Sequence, residues 1–133
     1  MIPNFDDNGY LPPGIHMATL AEIAERFGQG DDQRRAGMDS IRWLVDIARR
    51  AGVERIIVNG SFVTDRFEPN DVDCVLLAGP SYAADQSARE ELKQGLPFLE
   101  LHVVEDVEFA EFVQDIYGTD RLKNPKGMIE VRL

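Results

Sequence analysis

Apolar residues recur every three or four positions in two early segments of the chain, which is the spacing of one helix face. The first segment predicts a short helix over residues 19–27, where Thr19 and Glu22 have the spacing of a capping box. The second predicts a longer helix over about residues 31–51, with Gly52 placed to end it. The first third of the chain is therefore expected to be mainly helical.

After Gly52 the pattern changes to short apolar runs that are typical of β-strands. The runs are VERIIVN (53–59), DVDCVLLA (71–78), FLELHVV (98–104) and MIEVRL (128–133). Helical spacing returns at about 85–94, where Ser87 and Glu90 also have capping-box spacing, and at 107–118. This order predicts an α+β (α/β-like) fold, with a mixed β-sheet of about four strands and helices packed on it.

The ends and the size of the chain add three expectations. Prolines and glycines crowd residues 1–17, which predicts an extended N-terminal arm without regular secondary structure. A length of 133 residues predicts a single domain over 1–133. The apolar runs are too short for a transmembrane helix, the first residues lack a secretory-signal pattern, and Cys74 is the only cysteine, so we expect a cytoplasmic protein.

The net charge of the chain indicates which classes of partner it can bind. The formal net charge is −10, from 24 acidic and 14 basic residues, and such a surface repels nucleic-acid backbones. The basic residues that do cluster are Arg34, Arg35, Arg42, Arg49 and Arg50, on the predicted long helix with Asp39 and Asp46. Their i,i+4 spacings indicate a solvent-exposed, ion-paired face rather than a nucleic-acid interface.

The segment IVNGSFVTDRFEPNDVDCVLL, residues 57–77, carries the candidate chemistry. Asp71 and Asp73 fall on one face of a predicted strand, roughly 6.5–7 Å apart along it. Two like charges there repel each other unless a cation lies between them, and hard oxygen ligands suit Mg²⁺. An exposed strand edge or turn exit is the alternative interpretation, since EPND is itself a turn-forming sequence.

Upstream, Gly60 and Ser61 end the preceding strand. Gly60 lets the backbone approach a phosphate closely, and the Ser61 hydroxyl adds a donor to free backbone N–H groups. A phosphate-binding turn beside metal-binding carboxylates is the composition of a nucleoside triphosphate site.

Gly-Ser, nine residues and then Asp-x-Asp within apolar sequence resembles the signature of the DNA polymerase beta superfamily of nucleotidyltransferases. In that family the Gly-Ser pair holds the triphosphate and the two aspartates hold Mg²⁺; the matching positions are Gly60, Ser61, Asp71 and Asp73. The wider sequence, through GYLPPGIH, NGSFVTD, PNDVD and NPKG, is similar to a bacterial family of small nucleotidyltransferase-like proteins. The resemblance implies the nucleotidyltransferase fold.

Members of the superfamily commonly add a third carboxylate, which ligates metal and helps to deprotonate the attacking hydroxyl. Glu100 is the best-placed candidate, although the family more often has Asp there; Glu130 is the competitor, and each also fits a solvated surface residue. His102 shares the strand face of Glu100 and is a candidate proton relay. Positive charge for the phosphates would come from Arg66 and from Lys126, which also fits an ordinary turn.

Together these residues predict a Mg²⁺-dependent nucleotidyltransferase that moves a nucleoside monophosphate from a triphosphate such as ATP to a hydroxyl acceptor. By analogy with minimal members of the superfamily, the acceptor is expected on a toxin-like partner protein, as in toxin–antitoxin pairs. The alternative is a non-catalytic module of the same fold, which binds nucleotide or neutralises a partner by contact. The base, the acceptor and the oligomeric state are left open.

Overall fold

The computed structural model describes residues 1–82 and 85–133. The strands in these residues are β1 (Gly14–Ala18), β2 (Val53–Asn59), β3 (Val72–Ala78), β4 (Leu99–Val104) and β5 (Gly127–Val131). The α-helices are α1 (Leu20–Phe27), α2 (Asp32–Ala51), α3 (Gln86–Gln94) and α4 (Asp106–Glu111). A 3-10 turn, Ser61–Val63, follows β2, and a π-helical turn, Phe112–Ile116, follows α4.

The five strands form one mixed sheet in the order β1-β5-β2-β3-β4. Strand β2 runs antiparallel to both of its neighbours, β5 and β3, whereas the outer pairs β1–β5 and β3–β4 are parallel. The predicted α+β class with a mixed sheet is confirmed. The sheet has one strand more than the four that the apolar runs predict.

The extra strand, β1, lies at the end of the segment predicted as an irregular arm, so that prediction is wrong for residues 14–17. Strand β1 pairs with β5, and hydrogen bonds from Gly127 N–H to the Leu11 carbonyl and from Arg132 N–H to the Ala18 carbonyl flank the pairing. Of the five residues of β1 only Ala18 is buried. An edge strand with so little buried surface leaves no apolar run for a pattern to detect.

The sheet carries a hydrophobic cluster on each face. Helices α1, α2 and α3 contribute to the larger cluster, and α4 and Tyr117 to the smaller. On β2 and β3 the alternation is visible: Ile56, Val58, Cys74 and Leu76 belong to the larger cluster, and Ile57, Val75 and Leu77 to the smaller. Both faces of the central strands are therefore buried, which explains why their sequences are apolar throughout.

Side-chain caps fix the ends of the helices. Thr19 and Glu22 form the predicted capping box of α1, Asp31 caps α2, and Gly52 ends α2 in the left-handed conformation with φ +77°. Asp85 caps the start of α3, where its side chain accepts from Ala88 N–H, in place of the predicted pairing of Ser87 with Glu90.

The arginine face of α2 is exposed as predicted, except at Arg34, which is buried. The ion pairs that its exposed arginines form within α2 are Arg35–Asp32, Arg42–Asp39 and Arg50–Asp46, and Arg50 also pairs with Glu91 of α3. Of these pairs only Arg50–Asp46 has the predicted i,i+4 spacing.

The C-terminal helix is shorter than predicted. Regular α-helix stops at Glu111, and the wider turn that follows leaves Ile116 54% exposed, although its spacing predicts burial. No helix in residues 1–82 or 85–133 combines the length and apolarity needed to cross a membrane.

Candidate functional site

The floor of the candidate site is the start of the parallel pair β3–β4. Asp73 and Glu100 are directly opposite each other in the register of these strands, and Asp71 immediately precedes β3. Because facing residues of paired strands lie side by side on one face, the topology brings the two predicted metal-binding aspartates and the predicted third carboxylate together.

The surroundings of Asp73 disfavour its charged form. Burial, a hydrogen bond with the Glu100 carboxyl group and the charges of Glu100 and Asp71 raise the pKa of Asp73 to about 6, against an opposing effect of Lys126. A carboxyl group in such surroundings gains from a cation placed beside it, since the cation offsets the repulsion that burial strengthens.

Gly60 brings the Ser61 turn against Asp73. Gly60 has φ +80° and ψ −165°, a region open essentially only to glycine, and it starts the 3-10 turn that contains Ser61. A Cβ atom at Gly60 would overlap the Asp73 carboxylate. The predicted phosphate-binding and metal-binding segments are thus in contact.

An open cavity of about 920 Å³ lies over this floor. Six of the seven predicted site residues line it: Ser61, Arg66, Asp71, Asp73, Glu100 and Lys126. The seventh, Gly60, lines an adjoining cavity of about 370 Å³ that shares Ser61, Arg66 and Lys126 with the first. The structure therefore places all seven around one continuous concave region.

The two predicted cations differ in their surroundings. Lys126 is half-buried just before β5; burial lowers its pKa, while the charges of Asp73 and Asp120 act in the opposite direction. Arg66 is exposed at the cavity wall. Lys126 is thus placed beside the carboxylate floor.

Two other predicted candidates have different neighbours. The Arg55 guanidinium holds both oxygens of Glu130, which does not line the cavity, so Glu130 is not the third carboxylate of this site. His102 packs on the Phe112 ring with centroids 4.9 Å apart, and its Nε2 lies 3.9 Å from Glu100 Oε1.

Residues 115–123 form the far wall of the cavity, and none of them is among the predicted site residues. Asp120 organises this wall, because its carboxylate accepts from the N–H groups of Leu122 and Asn124 and from Tyr10 Oη at 2.8 Å. Hydrogen bonds from Asn124, together with that from Tyr10, lower the pKa of Asp120 to about 2. The only sequence signal was an aspartate within the turn-rich stretch GTDRLKN.

The donor set suits a hard divalent cation. Within the described part of the chain, no three or more His, Cys, Asp or Glu side chains are grouped so as to hold a metal ion by themselves. Mg²⁺ commonly takes only one or two protein carboxylates and completes its shell with water and substrate phosphate. The pair Asp71 and Asp73 would fit that chemistry.

The chain belongs to DUF6932, a family of unknown function, whose family model matches residues 3–132. No curated protein and no solved structure matches the chain significantly. The site itself is therefore the basis for assigning an activity.

Proposed function

We propose that this member of DUF6932 is a Mg²⁺-dependent nucleotidyltransferase, which moves a nucleoside monophosphate from a nucleoside triphosphate to a hydroxyl acceptor. The observation that carries the proposal is the convergence of the Gly60–Ser61 turn, the carboxylates Asp71, Asp73 and Glu100, and the cations Arg66 and Lys126 around one cavity. These groups come from separate parts of the chain and provide the opposite charges that a metal–triphosphate complex requires.

In this proposal Asp71 and Asp73 would hold the Mg²⁺ ion, with Glu100 as the third carboxylate of the site. Bound Mg²⁺ would neutralise phosphate charge and make the α-phosphorus more electrophilic. The raised pKa of Asp73 supports this role, because it reflects burial of the carboxyl group first and the nearby Glu100 and Asp71 second, and a bound cation would offset both.

Gly60, Ser61, Arg66 and Lys126 bind the triphosphate. Gly60 lets the phosphates approach the backbone, and the Ser61 hydroxyl donates to a phosphate oxygen. The side chains of Arg66 and Lys126 offset the negative charge that develops on the departing pyrophosphate. Their placement beside the carboxylates in one cavity supports this division of roles.

The transfer itself is an in-line displacement. The acceptor hydroxyl oxygen bonds to the α-phosphorus, and the bond between that phosphorus and the oxygen bridging to the β-phosphate breaks, so that pyrophosphate leaves. The Glu100 carboxylate takes the hydroxyl proton. Attack at the α-phosphorus, rather than the γ-phosphorus, rests on the resemblance to the DNA polymerase beta superfamily.

A hydroxyl carried on a partner protein is the acceptor that we propose. Large apolar side chains are exposed on a lining residue and on sequence neighbours of lining residues: Ile116, which lines the cavity, is 54% exposed; Phe67, next to Arg66, is 74% exposed; and Leu122, between Arg121 and Lys123, is 82% exposed. Exposed apolar groups beside a polar cavity suit contact with another protein surface.

Calorimetric titration of ATP, CTP, GTP and UTP, each with Mg²⁺, tests the nucleotide site. We expect the wild type to bind at least one of them, and the Asp71→Asn/Asp73→Asn variant to bind it at least about tenfold more weakly, which is the effect of about 1.4 kcal/mol. The Asp39→Asn/Asp46→Asn variant is the matched control, since it removes the same charge from the exposed face of α2. Equal losses in both double variants, or no binding by the wild type, would contradict the proposal.

A non-catalytic module that binds nucleotide or neutralises a partner by contact is the second candidate. The observation that favours it is the exposure of Glu100, whose side chain is 62% accessible to solvent. A third carboxylate this exposed is less firmly held in the site than a catalytic group needs to be. Incubation with a cell lysate and a nucleotide labelled at the α-phosphate separates the two functions. Label transfer that requires Asp71 and Asp73 supports the enzyme, whereas tight binding without transfer supports the module.

A further inference from the structure

The Arg34 guanidinium lies beneath the segment that follows Ser61. Its Nη1 donates to the carbonyls of Phe27 at 3.1 Å and Phe62 at 2.8 Å. Its Nη2 donates to the carbonyls of Thr64 at 2.7 Å and Arg66 at 2.6 Å. A single side chain of α2 thus binds the carbonyl of every second residue from 62 to 66.

This arrangement is costly for an arginine. Arg34 is only 8% exposed, and its nearest carboxylate oxygen, Asp31 Oδ2, is 3.9 Å from Nε, so hydrogen bonds to carbonyls provide most of its compensation. Asp31 in turn accepts from the N–H groups of Arg34 and Glu68. The start of α2 therefore holds residues 62–68 through both a cation and an anion.

The remaining hydrogen bonds of the segment have the same effect. Thr64 Oγ1 donates to the Ser61 carbonyl and accepts from Arg66 N–H, and Asp65 N–H donates to the Gly9 carbonyl. Residues 62–66 are thereby anchored against α2 and the N-terminal segment.

We propose that Arg34 is a positioning residue for the triphosphate subsite, an inference that rests on the proposed function. By fixing the carbonyls of Phe62, Thr64 and Arg66 against α2, Arg34 keeps their partial negative charge away from the bound phosphates. The same contacts hold the Ser61 hydroxyl and the Arg66 side chain at the cavity wall. Such pre-organisation strengthens anion binding because the segment need not rearrange when the ligand arrives.

The conservative variant Arg34→Lys tests this inference, because lysine keeps the charge but cannot reach four carbonyls with a planar fork. We expect it to fold, to keep the wild-type affinity for Mn²⁺ alone, and to bind the magnesium–nucleotide complex at least about tenfold more weakly. Calorimetry measures both affinities, and circular dichroism checks the fold. Arg35→Lys is the matched control, since the neighbouring Arg35 is exposed and pairs with Asp32 on the surface of the same helix.

A second variant guards against a merely structural explanation. In Arg34→Ala, checked for folding by circular dichroism, added guanidinium ion should restore nucleotide binding by refilling the site. Wild-type nucleotide affinity in folded Arg34→Ala without added guanidinium would overturn the positioning role.

The outcomes separate the two proposals. Wild-type nucleotide affinity in folded Arg34→Lys would overturn the positioning role alone. Equal losses of Mn²⁺ and nucleotide affinity would also overturn it, since they indicate general disruption of the site. Absence of nucleotide binding by the wild type would overturn the proposed function and this inference together.

Discussion

At the residue scale, Asp73 is the carboxylate of the candidate site whose pKa the fold raises. In free water an aspartate at neutral pH is charged at no cost, whereas here burial and the neighbouring Glu100 and Asp71 oppose the charge and raise the pKa of Asp73 to about 6. The unliganded protein therefore loses stability in holding a negative charge at this position. A cation bound beside Asp73 would stabilise the charged form and so offset this loss of stability.

Asp73→Asn should stabilise the metal-free protein at neutral pH, because asparagine resembles the neutral form that the site favours. The folded pKa of about 6 exceeds the reference value of 3.8, so the folded state binds the proton more tightly and stability falls as the pH rises between these values. After discounting for partial exposure, we expect a gain of about 1–2 kcal/mol near pH 7.5, most of which disappears near pH 4.

Urea denaturation in EDTA at both pH values measures this gain. Asp39→Asn, on the exposed face of α2, is the matched control and should change the free energy of unfolding by less than about 0.5 kcal/mol. A gain in Asp73→Asn that is equally large at pH 4 would show that the effect is not electrostatic.

At the scale of elements, helix ends and central strands were predictable because their signals are local. The capping box of Thr19 and Glu22 and the C-terminal Gly52 depend on neighbours within a few residues. Strand β1 was not predictable, since it exists only because β5, more than a hundred residues later, offers it a partner. The early end of α4 was not predictable either, because apolar residues keep their helical spacing beyond Glu111.

In the candidate site, too, residues that are close in sequence were predictable and contacts between distant segments were not. Gly60, Ser61, Asp71 and Asp73 lie in one strand–loop–strand segment, so their proximity could be predicted from spacing alone. Arg34 could not be assigned to the site, since the carbonyls that it binds on the Ser61 turn are 28 to 32 residues away and its neighbours Arg35 and Arg42 are on the surface. Placing Glu100 directly opposite Asp73 requires knowledge of the register between β3 and β4, and a sequence pattern does not contain that register.

Comparing Gly60→Ala with a control glycine variant should distinguish a loss of stability caused by backbone strain from a loss of nucleotide affinity caused by displacement of Asp73. The positive φ of Gly60 costs an alanine about 1–3 kcal/mol, and its Cβ would push the Asp73 carboxylate aside. Gly14→Ala is the control, because Gly14 has φ +114° and open space where the methyl group of an alanine would lie. We expect both variants to lose stability in urea denaturation, and only Gly60→Ala to lose affinity for the magnesium–nucleotide complex. Equal affinities would show that Asp73 does not need its position over Gly60.

At the scale of the whole molecule, the cavity connects parts of the chain that are distant in sequence. Its lining runs from Ser61, after β2, through the β3–β4 floor to Lys126, before β5. Tyr10 of the N-terminal segment reaches the far wall through Asp120. A ligand held by all of these elements at once can bind only while the sheet is intact, so binding must be coupled to global folding.

The magnesium–nucleotide complex should therefore raise the melting temperature of the protein. At a ligand concentration of 100 times the dissociation constant, binding to the folded state alone contributes about 2.7 kcal/mol, which for a chain of this length corresponds to a shift of about 10 °C. Differential scanning fluorimetry with each nucleotide, with and without Mg²⁺, measures it. The shift should require Mg²⁺, because a protein with a net charge of −10 repels a bare triphosphate, and it should be absent in Asp71→Asn/Asp73→Asn. A shift of the same size in that variant would place the nucleotide elsewhere on the molecule, since nothing but the carboxylate floor distinguishes the two proteins.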